Sequence, residues 1–256
     1  MANRTLEGLL LAFQFFSSIP VHQEIPVKKP QVTAMYSLLP IVGLMMGTMI
    51  SVVTWFIYHT ADVGSLTLAF LLTFLLWAFT GGLHLDGLAD TGDAYFSYQN
   101  RDKRLEIMGD PRIGAFGAMV LVFAIVGKII ILTELVSSVS LLAIAAVPVV
   151  SRIGLSVLSL FAKPAKTDGL AAYFQRLIDR RTTLSAMLAW SLAMLLALWA
   201  ICGWAVALAF LLVAIITTIG YKKWCDKNFG GVTGDLLGAY VEGMELILWG
   251  MLLFFI

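Results

Sequence analysis

The chain has 256 residues, of which 60% are hydrophobic and 13% charged, with a formal net charge of +1; an ordinary soluble domain carries roughly 45–50% and about 25%. That excess excludes a soluble core, because apolar runs of about 20 residues recur along the chain, and each can cross about 30 Å of hydrocarbon. A net charge of +1 says nothing about nucleic acid or acidic partners, and what matters is where the charges fall; no nucleic-acid partner is expected.

The N-terminal stretch through FFSSIPV is apolar but lacks an A-x-A cleavage pattern and precedes many further spans, so it is read as an interfacial helix rather than a signal peptide. Membrane spans are predicted at about 36–57, 65–84, 114–133, 139–161, 183–201, 203–220 and 235–256. Together they predict an all-α, polytopic transmembrane bundle of about seven spans plus the N-terminal helix, built as one membrane domain over residues 1–256. The run from Leu184 to Gly220 would be roughly 55 Å long as one helix, so it must fold back, at Cys202–Gly203, with Trp199 and Trp204 placed at the headgroups. Cys202 and Cys225 show no CxxC spacing and are read neither as a disulfide nor as metal ligands.

Of the 17 basic residues, all but Lys128 and Arg152 fall in the N-terminal segment and the long loops of one side. The turns near 58–64, 134–138 and 202 carry none. An excess of Lys and Arg marks the cytoplasmic face, so the N-terminus and long loops are expected in the cytoplasm and the C-terminus on the opposite side.

The second span ends in GGLHLDGLADTGDAYF, which sets Asp86, Asp90 and Asp93 four and three residues apart, on one face of a helix. Carboxylates so arranged repel each other and are costly near hydrocarbon unless a cation or substrate compensates them. Hard oxygen ligands suit Mg²⁺ or Mn²⁺ bridging to substrate phosphates; the bland alternative is a solvated helix end in which Asp86 or Asp90 caps the next segment. His84 precedes the stripe and is a candidate base, ranked below the aspartates because a lone His is more often simply hydrogen-bonded.

Further on, RLEIMGDPRIGAFG brings Asp110 and Arg112 to the mouth of the third span. Asp110 is a candidate fourth metal ligand, and Arg112 either grips a phosphate through its planar fork or anchors the span at the membrane surface. The segment FGGVTGDLLGAYVEGMEL opens the last span with glycines, Thr233, Gly234 and Asp235, a helix N-terminus suited to a phosphate, although an ordinary cap by Thr233 or Asp235 explains part of it. Glu242 lies on the face of Asp235, and with Glu245 it sits within the span, where Lys128 and Arg152 are its possible partners. By depth, Lys128 lies roughly 21 Å along its helix and Arg152 roughly 14 Å from the cytoplasmic end of its own, so Arg152 is assigned to substrate and Lys128 to a structural pair; Glu242, as an intramembrane carboxylate, is a further candidate substrate contact.

At FFSSIPV, LLPIVGLMMG, GGLHLDGLADTGD, RLEIMGDPRIGAFG, the Ser151–Arg152 pair, KTDGLAAYF and GGVTGDLLGA, the chain resembles the cobalamin synthase family, also called adenosylcobinamide-GDP ribazoletransferase. It departs at FAKPAK, where a PYAR-like string is common, which leaves both Lys163 and Lys166 as candidate substrate contacts. The resemblance implies a Mg²⁺-dependent enzyme in which α-ribazole, or its 5′-phosphate, displaces GMP from adenosylcobinamide-GDP to give adenosylcobalamin or its 5′-phosphate. It further implies a bacterial inner-membrane protein with a cytoplasmic active site, metal on Asp86, Asp90, Asp93 and Asp110, and direct transfer with one of these carboxylates or His84 as base. A homo-oligomer or neighbouring corrinoid enzymes are the protein partners to consider. Two other readings stand beside it. A CDP-alcohol phosphotransferase would need a DGxxAR pattern, whereas Ala89 is followed by Asp90. A secondary transporter would show internal repeats with its charges at the midplane.

Overall fold

The computed structural model describes residues 2–256, with side chains from Arg4 onward. The helices, in order, are α1 (Ala2–Phe16), α2 (Lys29–Thr60), α3 (Ser65–Thr80), α4 (Leu83–Phe96), α5 (Arg101–Ile107), α6 (Ala115–Leu135), α7 (Leu141–Phe161), α8 (Leu170–Leu177), α9 (Arg180–Cys202), α10 (Trp204–Asn228) and α11 (Gly234–Leu252). Among the described residues six of them, α2, α6, α7, α9, α10 and α11, are long and apolar enough to cross a bilayer, and α3 with α4 passes the same test together as a bent pair, the shape of a broken span or a re-entrant loop. The protein is thus the all-α polytopic bundle its hydropathy predicts. The N-terminal helix is α1, laid against α2 with Leu11 and Ala12 buried.

Three boundaries differ from expectation, each for a physical reason. Helix α2 starts at Lys29 rather than near 36, because Pro30 occupies the first turn, where its missing N–H costs nothing and its fixed φ suits the helix. Helix α10 continues to Asn228, since Tyr221–Lys227 remains helical after leaving the apolar run, and hydropathy is blind to such an extension. The third difference is the break in the second span. Gly81 and Gly82 adopt φ of 63° and 79°, a left-handed pair that glycine tolerates, and the axis turns by 91° between α3 and α4. A break inside a membrane frees carbonyls that must find donors. Ser18 supplies them: its N–H donates to the Phe79 carbonyl at 2.7 Å and its hydroxyl to that of Ala78 at 2.6 Å.

The same accounting explains two prolines inside spans. Pro40 leaves the carbonyl of Tyr36 without its helical donor, and the Ser156 hydroxyl of α7 fills the place at 3.0 Å. Pro148 does the same to Ile144, whose carbonyl accepts from Trp249 Nε1 of α11 at 3.1 Å. Helices α2 and α7 approach closely here, because Gly43 and Gly47 lie directly on the backbone of Pro148 and Ala145, where a Cβ would collide. Helix α7 is buried along most of its length and forms the centre of the bundle. By contrast, α9 and α10 bury few residues, and they turn back on each other at Gly203, as expected, with Trp199 and Trp204 exposed.

Helix α4 is set by its small residues. Gly87 lies on the backbone of Asp235, Gly238 on that of His84, and Gly92 on Val120, so α4 runs antiparallel to α11 and rests on the start of α6. At this end of the bundle the basic loops meet. Val232 N–H donates to the Lys163 carbonyl and Ala165 N–H to that of Val232, both at 2.9 Å, while Arg101 reaches the Ala165 carbonyl and Arg104 the Asn228 side chain.

Candidate active site

The close contact at Gly87 carries the two most distinctive sequence blocks to one place. It puts the α4 aspartates beside the N-terminus of α11, so that Asp86, Asp93 and Asp235 are the charges that bear on Asp90. Asp86 is exposed and Asp90 and Asp235 half-buried. Neither Asp86 nor Asp90 is held in an ion pair or accepts a hydrogen bond among the described residues, whereas Asp235 accepts from the Thr233 hydroxyl at 3.3 Å. The cation whose charge bears on Asp235 is Lys166, tethered through Nζ to the Leu105 carbonyl at 3.0 Å; Lys163 instead lends its backbone to the loop pairing. Of the two lysines left open by sequence, Lys166 is therefore the one beside the carboxylates.

Thr233 is the N-cap of α11, its hydroxyl accepting from Leu236 N–H at 3.2 Å, and Gly234 is exposed beside it. Before it, Gly230 and Gly231 hold φ of 76° and 154°, and a Cβ on either would run into Arg101 or Lys163. The N-terminus of α11, with its exposed Gly234, thus adjoins the α4 aspartates, and Lys166 is the cation whose charge bears on Asp235.

Several expected site residues lie elsewhere. Asp93 is committed to capping: its two oxygens accept from Gly114 N–H at 2.6 Å and Gly117 N–H at 2.8 Å, at the N-terminus of α6. The cap predicted for Asp86 or Asp90 exists, but Asp93 provides it. Asp110 and Arg112 form an exposed pair of their own, the guanidinium donating to both carboxylate oxygens at 3.0 and 2.7 Å. That partner holds the Asp110 carboxyl well below the usual range, at about 2. Among the described residues, no three His, Cys, Asp or Glu side chains converge closely enough to hold a metal ion by themselves.

Arg152 and Glu242 are buried and paired inside the bundle. Arg152 is 1% exposed and donates to Glu245, Ser151 and the Pro148 carbonyl, while Lys128 bridges Glu242 at 2.8 Å and Glu245 at 3.1 Å. Two cations and two carboxylates thus neutralise one another inside the bundle, with Lys128 also 5.2 Å from the Trp249 ring centre. The expected contrast between a substrate-binding Arg152 and a structural Lys128 is not what the structure displays, since both are closed into one network. His84 faces this network too. It is buried, its Nε2 has no partner among the described residues, and the charges that bear on it are those of Arg152, Glu245 and Lys128.

Sequence reasoning missed Arg101, Ser18 and the pairing of the 163–165 loop with Val232. Nothing in periodicity signals these contacts, although Ser18 lies in FFSSIPV and Val232 in GGVTGD, two of the blocks that carry the resemblance.

A family profile described as cobalamin-5-phosphate synthase matches residues 8–253. Curated relatives named adenosylcobinamide-GDP ribazoletransferase include one from Geobacillus kaustophilus (strain HTA426), 35% identical over 248 residues, covering 96% of this chain and 94% of its own. Another, from Halalkalibacterium halodurans, is 32% identical over 253 residues with 96% and 95% covered. No solved structure matches. With a family profile and full-length relatives agreeing from α1 to the end of α11, the chain belongs to the cobalamin-5-phosphate synthase family.

Proposed function

We propose that this protein transfers the adenosylcobinamide phosphoryl group of adenosylcobinamide-GDP to α-ribazole or its 5′-phosphate, releasing GMP. The supporting observation is the contact of Gly87 with Asp235, which joins uncompensated carboxylates to a glycine-bounded helix N-terminus. The reaction forms a bond from the ribose 3′-oxygen to the cobinamide-side phosphorus and breaks the bridging P–O bond toward GMP, while the hydroxyl proton passes to a base. Asp86 and Asp90, free of protein partners, are our candidates for that proton. The N–H groups at the start of α11, with Lys166, would orient the pyrophosphate.

The donor set fits Mg²⁺: it consists of hard oxygens, and one or two carboxylates plus substrate phosphates are its ordinary complement. Held by Asp86 and Asp90 with the substrate phosphates, Mg²⁺ would supply neutralisation of pyrophosphate charge. We place this face in the cytoplasm of a bacterial inner membrane because the basic loops gather there. Purified protein given adenosylcobinamide-GDP and α-ribazole should release GMP and adenosylcobalamin in equal amounts, and chelation should stop it. Absence of product from folded, lipid-supplemented protein would refute the reading.

A further inference from the structure

The hairpin α9–α10 leaves a groove where it leans on α7. This groove is about 280 Å³, floored by Gly154 and walled by Ser191 and Leu195 of α9 and by Ile215 and Ile219 of α10. It is a slot rather than a bowl, since its lining runs along α10 from Ala207 to Ile219, roughly 18 Å at the helical rise. Gly154 lets the Tyr240 hydroxyl approach α7 closely, and that hydroxyl bonds Thr218 of the slot lining at 2.7 Å.

Beyond the lining, the α10 wall meets a cation after one turn, and the α9 face carries one about ten residues further along than Ser191. On α9 the stripe Leu195, Ser191, Leu188, Leu184 steps by four and three residues to Arg181; on α10 the stripe Ile215, Ile219 steps by four to Lys223. Because the hairpin is antiparallel, both stripes finish at the same end of the bundle, that of the basic loops. Arg181 and Lys223 are exposed, and neither forms an ion pair among the described residues, whereas neighbouring Lys222 is tied to Asp226 at 2.7 Å.

We propose that the slot binds one anionic phospholipid, with an acyl chain along α10 and its phosphate at Lys223, one turn beyond Ile219, on the basic end of the bundle that Arg181 shares. An apolar slot at bilayer depth is filled by hydrocarbon, and basic residues between spans at a membrane surface are the chemistry that selects an anionic headgroup. A second copy fits less well. A two-fold contact through this face would bring each chain's Arg181 and Lys223 toward their counterparts, setting like charges together. The inference is independent of the proposed reaction.

The test uses full-length protein in detergent, offered equal amounts of phosphatidylglycerol and phosphatidylcholine with identical chains and read by native mass spectrometry. Phosphatidylglycerol should be retained about tenfold over phosphatidylcholine. The exposed double variant R181Q/K223Q should melt as the wild type does and lose the preference. Ser191→Phe, which fills the slot and keeps both charges, should lose the bound lipid; should it fold poorly, the charge variant alone decides. Equal retention of both lipids by the wild type, or a preference that survives R181Q/K223Q, would overturn the proposal. So would cross-linking between copies through Leu188→Cys in phosphatidylglycerol vesicles, which would put a second chain in the slot.

Discussion

Two polar clusters lie in this bundle, both reached by α11, and they differ in charge balance. Deeper along the helix, Lys128 and Arg152 meet Glu242 and Glu245 in a closed set with each charge answered. At the helix start, Asp86 and Asp90 stand against Asp235 with no cation bonded to any of them among the described residues. Charge within a membrane protein is costly unless paired or solvated. The balanced set therefore reads as architecture, and the unbalanced set is where we propose that cation and phosphate bind. Which acids are functional is decided by partners rather than by depth.

The sharpest break in that comparison comes from removing charge at the open cluster. Asp90→Asn and Asp86→Asn keep shape, so melting should stay near wild type while GMP release falls by about 10³-fold, roughly 4 kcal/mol of transition-state stabilisation. Near-normal turnover by folded Asp90→Asn across a Mg²⁺ titration would remove the carboxylates from the chemistry.

At the closed cluster the expected damage is to stability. Lys128→Ala leaves Glu242 without its partner, and Arg152→Ala takes one of two cations from Glu245, so each should cost about 3–5 kcal/mol of unfolding free energy. The double replacement Lys128→Met with Glu242→Leu keeps the Arg152–Glu245 pair and should recover most of that loss, since well-packed apolar groups often replace a buried pair without penalty. Unfolding in bicelles measures both. A stable but inactive Arg152→Ala would return Arg152 to the substrate.

Much of this was legible beforehand. Apolar run lengths predicted the crossings, and loop charges predicted which ends gather together, because both follow from the bilayer acting as solvent. The aspartate stripe and the glycine-bounded start of α11 were also visible as motifs. What stayed hidden is partnership across distant segments. Asp86, Asp90 and Asp93 look alike in sequence, yet only Asp93 meets the N–H groups of Gly114 and Gly117. Arg152 looked shallow enough for substrate, but Pro148 and Glu245 enclose it. Spacing along a helix tells which residues share a face and is silent on what that face meets.

A smaller effect should separate Asp93 from its neighbours. As a cap answering two N–H groups of α6, Asp93→Ala should lower stability by about 1–2 kcal/mol. Its turnover should fall far less than that of Asp90→Asn once assayed below its melting transition. Equal loss of turnover in Asp93→Ala and Asp90→Asn, at equal melting, would place Asp93 in the reacting set.

The smallest effect is expected at Asp110 and Arg112, which sequence assigns to metal and phosphate and the structure to each other. Asp110 accepts from the backbone N–H, Nε and Nη2 of Arg112, so to serve a metal it must give up three bonds. Both side chains face solvent, where a pair contributes little to stability and is screened by salt. The depressed carboxyl stays ionised at every assay pH well above about 2, so its titration cannot shape a profile near neutrality. Asp110→Asn and Arg112→Gln should therefore each leave melting and the form of the pH–rate curve unchanged. The double variant should be no worse than the weaker single one, because the two share one interaction. The informative failure is asymmetric: if Asp110→Asn abolishes turnover as deeply as Asp90→Asn while Arg112→Gln stays active, the carboxylate leaves its arginine when substrate binds. The open cluster would then gain a fourth acid drawn from the α5–α6 loop.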